Sequence, residues 1–95
     1  MITITPNPSF FNTSASQKTL AILVAQILGE YDQDRLPIMT ANNKWQLDSN
    51  NNYWLVFKLQ ARTVELNYRY VNIDNLKVLE AVKTIIEFKF GANDN

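Results

Sequence analysis

The chain contains no cysteine and no histidine, and its only two glycines are Gly29 and Gly91. Without cysteine there can be no disulfide, no thiolate nucleophile and no ordinary structural zinc site. Without histidine the usual general base near neutral pH and the commonest metal ligand are both missing. Two isolated glycines cannot build a glycine-rich phosphate loop or a nucleophile elbow. Nine Lys and Arg balance nine Asp and Glu, so no net field draws the molecule toward nucleic acid or an anionic membrane. The longest apolar run, Leu20 to Leu28, is interrupted by Gln26 and falls far short of the roughly 20 residues a membrane span needs. Met1 to Pro6 carries no basic segment and no apolar stretch before a cleavage site, which predicts no signal peptide and a cytoplasmic location. These absences together predict a protein that is not an enzyme, holds no cofactor or metal, and has no membrane partner.

What is present suits one small domain spanning residues 1–95. A chain of this size buries only about 60–70% of the surface its unfolded form exposes, so its stability rests on a few large apolar side chains or on a partner. The pattern predicts an α+β fold. An antiparallel three-stranded meander, with a possible fourth strand at the N-terminus, packs against two amphipathic helices in the order (β)-α-β-β-β-α.

Ile2 and Ile4 alternate with Thr3 and Thr5, a short strand that Pro6 and Pro8 close off. Phe10 and Phe11 are expected to pin the following loop onto the core. Ser14-Ala-Ser-Gln17 reads as a capping box, and a helix over 16–31 gathers Leu20, Ala21, Leu23, Val24, Ala25, Ile27, Leu28 and Tyr31 on one broad arc. Ile22 falls outside that arc among polar neighbours, and Gly29 marks the helix end. Trp45 and Leu47 alternate with polar residues as a strand, followed by turn chemistry at Ser49 to Asn52.

The strongest period-two signal runs from Tyr53 to Tyr70. Tyr53, Leu55, Phe57 and Leu59 share one face of a strand; Val64, Leu66, Tyr68 and Tyr70 share one face of the next. A hairpin centred between Ala61 and Arg62 sets Leu59 opposite Val64, Phe57 opposite Leu66, Leu55 opposite Tyr68 and Tyr53 opposite Tyr70. On the reverse face it pairs Lys58 with Glu65 and Trp54 with Arg69. Ala-Arg is a poor two-residue turn, so a four-residue loop of the same parity is the alternative. Asn72 or Asp74 can cap the last helix, whose apolar arc collects Leu76, Val78, Leu79, Val82, Ile85, Ile86 and Phe90. Phe88 projects onto the polar side, and the helix is expected to run on through it rather than stop near Ile85.

Two constellations bear on chemistry. Glu30, Asp32 and Asp34 could offer oxygens to a hard cation, but they lack the ligand spacing, the tight-turn glycine and the distal glutamate of a calcium loop, so a solvated connector is expected. Trp54, Val56, Lys58, Gln60, Asn67 and Arg69 combine a stacking ring with basic heads and amides on the outer sheet face. That surface suits either a covering subunit or a nucleic-acid strand. The expected function is a non-catalytic protein-interaction module, self-associating as a homodimer through Ile22, Trp54, Val56, Lys58, Arg69 and Phe88. The alternative is a small nucleic-acid-associated regulator using the basic and aromatic outer face.

Overall fold

In a computed structural model the chain is described over residues 1–47, 50–69 and 73–91, with the backbone alone described at 50, 51 and 73–75. The α+β expectation holds, with a larger sheet than the meander foreseen. The elements are β1 (Ile2–Ile4), a 3-10 turn (Pro8–Phe11), α1 (Ser14–Leu28), β2 (Pro37–Ala41), β3 (Lys44–Leu47), β4 (Asn50–Lys58), β5 (Thr63–Tyr68) and α2 (Ile73–Phe90). The strands form one antiparallel sheet in the order β1-β5-β4-β3-β2. Because β1 and β2 lie at opposite edges, α1, which joins them, must cross the sheet. That crossing roofs the apolar face that the alternation creates.

The inner face is the one read from the sequence. Ile4, Trp45, Leu47, Tyr53, Leu55, Phe57, Val64 and Leu66 are buried against Leu20, Ala21, Val24 and Ala25 of α1 and Leu79, Val82 and Ile86 of α2. Phe11 is buried edge-to-face on Phe57, with ring centroids 5.6 Å apart, and Phe10 meets Phe90 in the same geometry at 6.3 Å. The aromatic pair therefore pins the loop to the core, as expected. Backbone bonds reinforce it: the Asn7 N–H donates to the Phe90 carbonyl at 2.6 Å, and Pro6 bridges Gly91.

Several local expectations are corrected. The hairpin is shifted by two residues, pairing Phe57 with Val64, Leu55 with Leu66 and Tyr53 with Tyr68. A shift of two preserves which face each side chain takes, so the core survives it. Its cause is the turn. The loop has four residues, Leu59 to Arg62, as the alternative expected, but it is centred between Gln60 and Ala61; it takes one left-handed residue, Arg62 (φ 57°), where a type I′ loop at Ala-Arg would take two. Leu59 therefore leaves the sheet and is exposed rather than inward-facing.

Asn50 to Asn52 are strand, not turn, with Leu47 paired to Asn50; Asp48 and Ser49 lie outside the described residues. Strand β2 was not foreseen. It pairs with β3 through a two-residue turn at Asn42-Asn43, where Asn43 takes φ 57°. Asparagine is the residue other than glycine that accepts this angle most readily.

Helix α1 starts at Ser14, and its cap is Thr13 rather than Ser14: the Thr13 hydroxyl oxygen accepts the Ser16 N–H at 3.0 Å. Gly29 closes the helix in the left-handed region (φ 75°), which leaves Tyr31 beyond it and exposed. Helix α2 continues to Phe90, as expected. Of its proposed caps, Asp74 lies within the helix and Asn72 lies outside the described residues.

Candidate interaction surfaces

The helix layer leaves one apolar surface open. On α2, Leu79, Val82 and Ile86 point into the core, while Leu76, Val78, Ile85 and Phe88 are exposed. The expected arc of α2 is thus only partly covered. A helix packed on one side can bury a stripe about 100° wide, and the arc read from the sequence is wider than that. Val78, Ala81, Ile85 and Phe88 follow one another at intervals of three, four and three residues, so they form a continuous stripe along one side of the helix. All four are exposed, and Phe88 stands out at 87%. A fully exposed phenylalanine ring at a helix surface has no packing role in its own chain.

The outer face of the sheet is more polar. Thr3, Glu65, Val56 and Lys44 stand side by side across β1, β5, β4 and β3, and Trp54 pairs with Asn67. Lys44, not Arg69, covers the Trp54 ring, with its ammonium 5.3 Å from the centroid. Lys58 reaches Glu65 diagonally at 3.2 Å rather than as a direct opposite, because Lys58 faces Thr63. The expected charge pair therefore forms, in a different register. Trp54 and Val56 are half-buried by these neighbours, and Lys58 and Arg69 are exposed. The Arg69 N–H is tied to the Asn52 carbonyl at 2.6 Å.

Of the six residues singled out from the sequence, Trp54, Val56, Lys58 and Arg69 share the outer face, whereas Ile22 and Phe88 lie on separate helices of the other layer. Ile22 is half-buried, so it offers less than its polar neighbours in sequence suggested. Leu76, Val78 and Ile85 belong to the apolar arc expected from the sequence and are instead exposed, Val78 and Ile85 on the open stripe.

One edge of the sheet is β2, where Leu36, Ile38 and Met39 are exposed and no charged residue stands between Leu36 and Asn43. The sequence signal for this strand is the Asn42-Asn43 pair directly ahead of Lys44. The edge is blunted, since Pro37 has no N–H to offer and a bulge falls between Met39 and Ala41.

No convergence of catalytic groups is seen among the described residues. The Asp32 carboxylate accepts the Asp34 N–H at 2.9 Å and pairs with Arg35 at 3.2 Å; these contacts hold its pKa below the ordinary carboxylate value. Glu30 is turned elsewhere, accepting the Tyr68 hydroxyl at 3.0 Å. Among the described residues no three Asp, Glu, His or Cys side chains come together. An open groove of about 510 Å³ lies at the hairpin end, lined by Asn43, Phe57, Lys58, Leu59, Gln60 and Ala61. Its one charged group, Lys58, is already paired with Glu65. No helix among the described residues is long and apolar enough to cross a membrane. Comparison with protein-family models, with curated proteins and with solved structures finds no significant match.

Proposed function

We propose that this protein is a non-catalytic interaction module that self-associates through the open stripe of α2. The observation that carries the reading is Phe88, exposed at 87% in line with Val78, Ala81 and Ile85. An aromatic ring held in water at the end of an apolar row is the kind of anchor that interfaces bury. The outer sheet face counts for less, because Lys44 and Glu65 already occupy its stacking ring and one of its cations.

Sedimentation analysis from about 5 to 500 μM tests it. The expected result is a monomer–dimer equilibrium that Phe88→Glu abolishes while the circular dichroism spectrum is unchanged. A wild-type chain that stays monomeric over the whole range contradicts the reading.

A second reading has a specific observation in its favour: among the described residues of the outer face that carries Trp54, Lys44, Lys58 and Arg69 outnumber Glu65. That imbalance supports a nucleic-acid-associated regulator. It calls for a gel shift that weakens with salt and with Arg69→Ala or Trp54→Ala, and no shift at low salt removes it.

A further inference from the structure

Resting on the reading of α2 as the docking surface, we infer that its occupant is a second copy of the same helix, running antiparallel. The argument is one of size and spacing. The stripe reads Val78, Ala81, Ile85, Phe88, and its intervals of three, four and three residues are the same in either direction. Turned end for end, it places Phe88 opposite the smaller Val78 of the second copy and Ile85 opposite Ala81. Each large side chain then meets a smaller one, in a contact that is its own complement about a two-fold axis near residue 83. A parallel pair would instead set Phe88 against Phe88 and Ala81 against Ala81, crowding one layer and leaving a void in another. The antiparallel arrangement also opposes the two helix dipoles favourably. The row drifts by about 20° for each seven residues on a straight helix, which matches helices that cross at about +20°.

The area decides how tight such a pair is. A phenylalanine carries on the order of 200 Å² of side-chain surface, and with Val78, Ala81 and Ile85 partly exposed the stripe offers roughly 350 Å² of apolar surface per copy. Stable interfaces bury about 800 Å² per partner. The pair is therefore a weak one, in fast exchange at micromolar concentrations.

The absence of cysteine makes the geometry directly readable. In the antiparallel pair, Lys77 of one copy lies level with Lys89 of the other, while identical positions stand about 18 Å apart along the axis at 1.5 Å per residue. Lys77→Cys labelled with 15N is mixed with unlabelled Lys89→Cys, and a short bis-maleimide is added at about 200 μM protein; intact mass separates the three cross-linked species. A mixed product several-fold above both homodimeric products, lost when each chain also carries Phe88→Glu, is the expected result. Dominant homodimeric products overturn the antiparallel geometry and leave the α2 surface standing. Cross-linking no greater than in the Phe88→Glu background overturns both the geometry and the use of α2.

Discussion

Replacing Gln17 by Leu should destabilise the protein by about 2 kcal/mol, although leucine is the more apolar residue and the site is buried. The Trp45 indole N–H donates to the Gln17 side-chain oxygen at 2.9 Å, and Gln17 is only 5% exposed. Among the described residues no buried side-chain nitrogen or oxygen lacks a partner, so this bond is part of a fully satisfied interior. Leucine removes the acceptor and leaves the indole N–H dry. An orphaned buried donor costs about 1–3 kcal/mol, more than the modest net value of the bond itself. For a domain of this size each kcal/mol moves the melting temperature by about 4–8 °C, so a fall of roughly 8–16 °C is expected. A double-mutant cycle separates this effect from repacking. Trp45→Phe has its own packing cost, but in the double variant no N–H remains to be orphaned, so the two losses should sum to about 1–2 kcal/mol more than the double variant shows. Urea denaturation followed by circular dichroism is the suitable assay, because Trp54 confuses fluorescence. A loss below about 0.5 kcal/mol for Gln17→Leu, or strictly additive losses, would refute the reasoning.

Three other substitutions probe local structure. Thr13→Ala should cost about 1 kcal/mol by removing the cap on Ser16, while Ser14→Ala should change stability by a few tenths at most; both are measured by urea midpoints, and the reverse order would restore the capping box. Gly91→Ala should cost about 1–3 kcal/mol, because an added Cβ would collide with the Glu87 carbonyl where the chain meets Pro6; hydrogen exchange at Asn7 should rise with it. Burial raises the pKa of the Tyr53 phenol above its ordinary value of 10.0, with the Glu30 carboxylate adding to the shift. The folded state thus holds its proton more tightly than the unfolded chain, so the contribution is complete below pH 10.0 and is lost progressively as pH rises above it. Tyr53→Phe should remove that part of the alkaline decline. At neutral pH it should cost no more than about 1 kcal/mol, since its bond to the Ala21 carbonyl is long at 3.4 Å; equal alkaline slopes in both proteins would count against it.

Residue pattern alone settles which side of each strand is apolar, and hence the core, because side-chain direction in a strand depends only on parity. That is why Tyr53, Leu55, Phe57, Val64 and Leu66 are all buried although the hairpin register moved by two residues. It likewise determined the end of α1 at Gly29 and the outward position of Phe88, both consequences of local angles and helical spacing. Long-range packing sets what depends on a distant partner. Gln17 reads locally as part of a cap, but Trp45, 28 positions away, claims it. Val78 and Ile85 read as core because an arc of apolar residues does not say how much of it a neighbour will cover. Strand β2 exists only because β3 offers it an edge, and Lys44 reaches Trp54 only because β3 and β4 are paired. Periodicity sets which way a side chain points, and only the packing of the other elements sets whether anything is there to meet it.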